Sequence, residues 1–460
     1  MWMPKLANGP EPIYERLVAA LERDVASGTL VPGTRLPPHR ELAHRLKLGV
    51  GTVTRAYAEA ESRGLIAAHV GRGSFVAEKA LARPLSGAAG VQGIDLARNT
   101  PPFGPAARRL ADILGKLRHR PDLVEHLHYA PPEGFEAHRR AGAAWLARTA
   151  NFADLDWRRV VCCGGAQQGM TLALSTICRP GDTVMTESAT FFGFKSLAEH
   201  AGYRLRGLAM DEEGLRPDAI ERAAAEGARV LYTVPTLQNP TGRIMSLARR
   251  REVADVARRH AIWIIEDDIY APYAVEKGLP PLASLAPELT FYVSGISKML
   301  APGLRTGYLL PPAGRLYDEV LQHVRAFNYA PPSFGSLIAT QWIEDGTADA
   351  IAQEIRHDVR ARTQLAETIL ADAIETPRAP QSLHVWLPMS ELDAERVARR
   401  TLRDGVRVTP PSAPMVGDAA ETGVRICLGG VADPGMLEKA LLTVRAALSG
   451  ETDAGTGDII

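Results

Sequence analysis

The sequence predicts a multidomain chain: a small α+β domain first, then a larger α/β domain with a mostly parallel sheet. Three observations lead there. At 460 residues the chain is longer than one ordinary domain. Its first eighty residues read as three helices and a β-hairpin. From residue 159 onward, short β-branched runs alternate with helical runs, the pattern of a parallel sheet with helices on both faces.

Composition sets the outer limits. With 46% apolar and 23% charged residues, the chain has ample material for a soluble core. Formal net charge is +0, but residues 1–83 hold 12 Lys and Arg against 8 Asp and Glu, which leaves that block at +4 and the remainder at −4. The four cysteines, Cys162, Cys163, Cys178 and Cys427, lack metal-ligand spacing and suit a reducing compartment. The N-terminal stretch MWMPKLANGP has no signal-peptide apolar run, and no segment of about 18 apolar residues is present. A cytoplasmic protein without a membrane or metal partner is the expectation.

In the first block, residues 13–27 form an amphipathic helix with Ile13, Leu17, Ala20, Leu21 and Val25 on one stripe. A short helix is expected over 39–46 and a longer one over 51–63. The run LIAAHVGRGSFV reads as two strands around Gly71-Arg72-Gly73. This order is a winged helix-turn-helix, which lays its third helix in the DNA major groove. The segments PGTRLPPHRELAHRL, TVTRAYAEAESRGLI and GRGSFV resemble the DNA-binding domain of GntR-family regulators. That resemblance implies operator DNA as a partner and Arg40, Thr52, Thr54, Arg55 and Arg72 as its contacts. Hydroxyls and guanidiniums suit phosphate oxygens and base edges. One departure is Gly49-Val50, where many relatives have Ser/Thr-Arg, so an N-cap side chain is missing.

Residues 77–93, rich in Ala, Gly and Pro, read as a linker. The expected boundaries are thus 1–76 for the DNA-binding domain, 77–93 for the linker, 94–448 for the second domain and 449–460 for a disordered tail.

The second block places candidate chemistry at the carboxyl ends of its strands, where ligands of such sheets bind. Gly164-Gly165-Ala166-Gln167 is a small-residue turn that either simply reverses the chain or offers helix amides to a phosphate. Phe191 either packs in the core or stacks on a planar ring. Asn239-Pro240-Thr241-Gly242 is a turn with an amide side chain. Asp267 and Asp268 follow a buried strand and read as a polar loop, a metal site or a carboxylate awaiting a cationic partner. Lys298 follows the apolar run FYVSGIS; it is a surface lysine or an amine made reactive by its pocket. Arg305 beyond it would clamp a phosphate.

The order of these motifs, with similar gaps, resembles the fold-type I pyridoxal phosphate enzymes of the aminotransferase class I/II family. The stretch SGISKMLAPGLRTGY resembles that family's S-x-S-K-x-x-x-P-G-x-R-x-G-Y signature. The resemblance implies pyridoxal 5′-phosphate as cofactor. Lys298 is then its covalent anchor and the catalytic residue, Asp267 the partner of its ring nitrogen, and Asn239 and Tyr270 the partners of its phenolic oxygen. Ala166, Gln167, Ser297 and Arg305 hold its phosphate, Phe191 stacks on its ring, and Tyr129 reaches the phosphate of a neighbouring subunit. Arg425 would clamp the carboxylate of an amino-acid ligand. Phe191 stands where relatives usually have Tyr, and Gly295 where they often have a phosphate-binding Ser, with Ser294 and Ser297 as its possible replacements.

A GntR-type winged helix joined to such a domain is identified with the MocR subfamily of transcriptional regulators. The resemblance implies a homodimer, of the domain-swapped kind seen in the family's regulators, sensing an amine, an amino acid or pyridoxal phosphate itself. Two other readings share the chain: a working aminotransferase with an appended DNA-binding module, and a DNA-binding protein whose second domain only dimerises. Loss of Lys298 or Asp267 would mark the last, and both are present.

Overall fold

The computed structural model describes residues 2–6, 12–26, 29–30, 33–62, 65–69, 73–76, 93–153, 155–312, 314, 316–376, 379–417 and 421–450. The chain forms two compact units, Met1–Val91 and Gln92–Ile460. The expected linker lies outside the described residues but for Gly93. So do residues 451–460 of the expected tail, while Ser449 still belongs to a helix, Pro434–Ser449, which ends at Gly450 in the left-handed conformation.

In the first unit, α1 (Ile13–Ala26), α2 (His39–Leu46) and α3 (Val50–Ser62) precede an antiparallel hairpin of β1 (Ile66–His69) and β2 (Gly73–Val76). Of the stripe foreseen on α1, Leu17, Ala20 and Leu21 are buried and Val25 is half-buried, while Ile13 is exposed; Leu17, Leu21 and the unforeseen Val18 join Leu42, Val53, Tyr57, Ile66 and Val76 in one core. Lys47, with φ 55, closes α2 and makes the sharp link to α3. Gly49 caps α3 with backbone only, its carbonyl accepting from Thr52 N at 3.0 Å. The Tyr57 hydroxyl donates to Pro37 O at 2.9 Å and pins the chain entering α2.

In the second unit, α4 (Gly104–Leu117) and α5 (Glu136–Thr149) come before the main sheet, and α6 (Ala166–Ile177) follows its first strand. The strands are β3 (Ile94–Asp95), β4 (Val161–Cys163), β5 (Thr183–Glu187), β6 (Arg204–Leu208), β7 (Met210–Asp211), β8 (Gly214–Leu215), β9 (Val230–Thr233), β10 (Trp263–Asp267), β11 (Thr290–Gly295), β12 (Gly307–Leu310), β13 (His384–Pro388), β14 (Val406–Arg407) and β15 (Gly423–Cys427). Seven of them form one sheet in the order β4-β12-β11-β10-β9-β5-β6. Pairing is parallel from β11 through β10, β9 and β5 to β6; β12 runs antiparallel to both its neighbours. The sheet is mostly parallel, as the alternating pattern predicts. Every residue of β11 is buried, which explains its unbroken apolar run. A second layer pairs β13 with β15 and β3 with β14 over a separate core that includes Leu96, Val385, Val424, Ile426 and Leu437.

Among the described residues no helix is long and apolar enough to cross a membrane.

The sheet holds β12 so close to the turn before α6 that side chains are excluded. A Cβ on Gly307 would lie 2.5 Å from the carbonyl carbon of Gly165, itself at φ 96. Gly307→Ala should therefore cost about 1–3 kcal/mol of second-unit stability. Urea unfolding monitored on this unit checks it; an unchanged midpoint would contradict the close approach.

Candidate functional site

The functional side chains sit where strands end. β10 and β11 are parallel neighbours, with Asp267 opposite Val293. Alternation along the last residues of β10 sends neighbouring carboxylates to different places. Glu266 accepts backbone N–H bonds from Leu282 and Ala283 at 2.7 and 2.9 Å. Asp268 accepts from the Tyr292 hydroxyl at 3.3 Å. Only Asp267 faces the cavity beyond the strand end. Among the described residues no group of three or more His, Cys, Asp or Glu could hold a metal ion.

That cavity measures about 130 Å³ and gathers Ala166, Gln167, Phe191, Asn239, Asp267, Tyr270, Ser297, Lys298 and Arg305. Nine residues that the sequence singled out, drawn from distant segments, thus line one space. At one end the first amides of α6 are left without helical acceptors, as at any helix start. Arg305 stands beside them, its Nη2 donating to Gly164 O at 2.7 Å. A Cβ on Gly165 would come within 2.8 Å of that Nη2, so a glycine keeps the cradle open. This end can hold a dianion.

At another wall Asp267 Oδ2 accepts from the Tyr232 hydroxyl at 2.9 Å, and Oδ1 accepts from Ile269 N at 3.3 Å. Burial, the largest influence, pushes its carboxyl up from 3.8 to about 6. Lys298 Nζ donates to Asn99 O. Burial first, then the nearby Arg425 charge, pull its ammonium down from 10.5 to about 8. About a tenth of it is then a neutral nucleophile at pH 7, far more than for an ordinary lysine. Neither Asp267 nor Lys298 has an ion-pair partner among the described residues. The Tyr270 hydroxyl accepts from Asn239 Nδ2 at 3.4 Å and from Asn99 Nδ2 at 3.0 Å. The arrangement offers an amine for a carbonyl, a carboxylate for a cationic ring N–H, a phenol for an anionic oxygen and an anion cradle.

Other expected positions fall elsewhere. Arg425 is buried one bond behind the cavity, its Nη1 donating to Asn239 Oδ1 at 2.6 Å, Nη2 to Ala97 O at 2.9 Å and Nε to Thr409 Oγ1 at 3.2 Å. Tyr129 does not line the cavity of its own chain; it is 79% exposed, with its ring 4.6 Å from that of Tyr329. Ser294 donates to Asp268 O at 3.3 Å, inside the sheet, so it cannot replace the serine missing at 295; Ser297 lines the cavity. The reason for Gly295 is steric: a Cβ there would lie 2.8 Å from Thr306 O.

In the first unit, Arg40 on α2 and Thr54 on α3 are exposed, and Thr52 is half-buried. The Thr54 hydroxyl lies 3.2 Å from His39 Nδ1. Arg55 is also exposed, but its guanidinium rests 4.0 Å above the Tyr14 ring of α1, with Nη2 donating to the Tyr14 hydroxyl at 3.3 Å. Arg72 lies outside the described residues.

Sequence reasoning missed Tyr232, Asn99 and His384. Tyr232 is hidden in an apolar strand, where its hydroxyl looks like one more core aromatic. Asn99 and His384 lie in segments without a motif. The one signal was a lone polar residue entering or leaving apolar runs, as in LARNTPP and SLHVWL.

The raised carboxyl of Asp267 makes a pH prediction. Its proton is held more tightly folded than unfolded, so its favourable contribution is complete below pH 3.8 and lost as pH rises through about 6. Asp267→Asn should stabilise the cofactor-free protein above pH 6, by about 3 kcal/mol at most. The gain should vanish near pH 4. Thermal unfolding across that range checks it; a gain independent of pH would refute the buried charge.

Comparison with known proteins gives the arrangement its context. The profile "Aminotransferase class I and II" matches residues 91–443, and "Bacterial regulatory proteins, gntR family" matches residues 13–76. The chain is 28% identical over 461 residues to the uncharacterized HTH-type transcriptional regulator YdeF of Bacillus subtilis, covering 97% of this chain and 96% of that protein. It is 27% identical over 436 residues to the uncharacterized HTH-type transcriptional regulator YjiR of Escherichia coli, covering 87% and 91%. Among solved structures, an archaeal alanine:glyoxylate aminotransferase superposes with a TM-score of 0.71 at 22% identity, covering 79% of this chain and 92% of that one. LysN, the α-aminoadipate aminotransferase of Thermus thermophilus, superposes with a TM-score of 0.67 at 23% identity, covering 78% and 92%. The chain belongs to the aminotransferase class I and II family and carries a GntR-family helix-turn-helix domain ahead of the aminotransferase-like one.

Proposed function

We propose that this chain is a DNA-binding transcriptional regulator of the GntR/MocR type, working in the cytoplasm, whose second domain binds pyridoxal 5′-phosphate and senses an amine or amino acid. The observation that carries it is the convergence of Lys298, Asp267, Tyr270, Asn239, Ser297, Arg305 and the start of α6 on one cavity. Relatives that match nearly the full length bear the name of HTH-type transcriptional regulators, which supports the DNA-binding half.

The bound cofactor supplies a carbonyl that bonds amines and a ring that withdraws electrons from the carbon next to them. The chain does the rest. Asp267 keeps a proton on the ring nitrogen, helped by the Tyr232 hydroxyl that fixes its Oδ2. Asn239 and Tyr270 address the phenolic oxygen. Ala166, Gln167, Ser297 and Arg305 hold the phosphate, and Phe191 covers the ring. Arg425 takes the carboxylate of an amino-acid ligand in exchange for its neutral partners. Lys298 Nζ anchors the cofactor and, when released, is placed to take a proton from the ligand. That last capacity keeps the second reading, an active aminotransferase, alive, since every residue it needs is present.

A second copy of the chain is part of the proposal. Val124, Leu127, Tyr129, Tyr329 and Phe334 are exposed, and Ser333 Oγ ties two of their segments together through His126 O at 2.9 Å. Such a patch suits a homodimer in which Tyr129 reaches the partner's cofactor.

Purified protein loaded with cofactor should be yellow, and Lys298→Ala should remove the visible absorbance that depends on the lysine linkage; an unchanged band would remove the assignment. Arg40→Ala with Arg55→Ala should weaken operator binding roughly 10-fold or more at low salt. Binding unaltered and insensitive to salt would argue against the docking. Keto-acid production over many turnovers would favour the enzyme.

A further inference from the structure

One short segment of the second unit already occupies the groups a ligand would use. Ala97 O accepts from Arg425 Nη2 at 2.9 Å. Asn99 O accepts from Lys298 Nζ at 2.5 Å. Asn99 Nδ2 donates to the Tyr270 hydroxyl at 3.0 Å. A guanidinium, an amine and a phenol are thus all held by residues 97–99.

His384 fixes how Asn99 is turned. Its Nε2 lies 3.1 Å from Gln238 O, which can only accept, so Nε2 carries the hydrogen. Burial holds the imidazole neutral, its pKa lowered to about 3, so Nδ1 is an acceptor. That Nδ1 lies 3.0 Å from Asn99 Nδ2. Both amide hydrogens of Asn99 are then used, one on His384 and one on Tyr270. Asn99 Oδ1 is left buried without a partner among the described residues.

The segment is anchored on its other side by β3, where Ile94 N donates to Gly405 O at 2.8 Å and Leu96 N to Arg407 O at 2.7 Å. β3 is the first element of the second unit, and the chain before it leads back to the DNA-binding unit.

We propose that residues 97–99 are a strap that stands in for the ligand, with Asn99 as its positioning residue, and that a carboxylate-bearing ligand releases the stretch 94–100 next to the linker. This rests on the cavity being a cofactor and amino-acid site. A carboxylate offers the Arg425 guanidinium an opposite charge and a two-pronged pair in place of a bond to one neutral carbonyl, so it outcompetes Ala97 O. Ala97 O then keeps only the longer contacts from Thr409 Oγ1 at 3.5 Å and Cys427 Sγ at 3.4 Å, and a buried carbonyl so weakly paired favours a shifted strap. Both kinds of ligand meet Lys298 and Tyr270, but one without a carboxylate leaves the Arg425–Ala97 contact in place, which makes release depend on ligand type.

The test uses the full-length protein and two probes that share the cofactor ring: N-(5′-phosphopyridoxyl)-L-leucine, which has a carboxylate, and pyridoxamine 5′-phosphate, which has none. Hydrogen exchange of the peptide spanning 94–100 should rise several-fold with the first probe and stay unchanged with the second. Asn99→Ala should raise exchange there without any probe and bind the leucine compound about 3- to 10-fold more tightly, because an opposing contact is gone. A merely structural role would instead weaken both probes together. Nitrogen-15 imidazole shifts should report His384 with its hydrogen on Nε2. Bound leucine compound with unaltered exchange, weaker binding by Asn99→Ala, or a hydrogen on Nδ1 would each overturn the strap. Failure of both probes to bind would instead overturn the cofactor reading, and the strap with it.

Discussion

A buried carboxylate and a buried amine held apart from counter-ions are the constraint around which the second unit is built. Asp267 and Lys298 lie at and just beyond the ends of adjacent parallel strands, each shielded from water and neither in an ion pair among the described residues. Removing either charge from water is costly, and pairing them directly would recover part of that cost. The fold prevents this by giving each a neutral partner: Tyr232 for the carboxylate and a backbone carbonyl for the amine. The unrelieved charge is what makes the cavity receptive. A ligand that brings a ring N–H to one and a carbonyl to the other would relieve both at once.

Holding two such groups requires a rigid frame, and β12 supplies much of it. Inserted antiparallel between β4 and β11, it brings Gly307 against Gly165 on one side and Gly295 on the other. The three glycines let backbones touch where the phosphate cradle, the lysine turn and Arg305 must meet within one site. The missing serine at 295 is a consequence of the same closeness. A hydroxymethyl group would strike Thr306 O, and the candidate anion-binding groups that do line the cavity are Ser297, Arg305 and the start of α6.

How much of this was legible in the sequence depended on whether a residue's role was local. Strand and helix order followed from periodicity, and Pro217 and Ser246 mark the starts of the helices Pro217–Ala225 and Leu247–His260. Lys298, Asp267 and Arg305 stood out because charge beside an apolar strand needs a reason. Asn99 and His384 did not, since their importance arises only when β3, β10 and β13 come together, and no spacing along the chain records that. Arg55 shows the reverse error of emphasis. Its place in the motif is plain, but only the fold shows its guanidinium laid on Tyr14, a contact that DNA would have to break or use.

The same logic bears on what kind of molecule this is. An enzyme that turns over benefits from a carboxylate clamp left open to substrate, because any internal contact there is subtracted from binding. Here each of the three nitrogens of Arg425 already donates to the chain itself, through Thr409, Asn239 and the main chain at Ala97. That geometry lowers apparent affinity but makes occupancy mechanically consequential, since the ligand must displace structure to bind. A sensor gains from that exchange and a catalyst does not. The residues for proton transfer are present in either case, so the distinction lies in the partners of Arg425 rather than in Lys298. On that ground the partners of Arg425 support the proposed sensor over an enzyme that turns over.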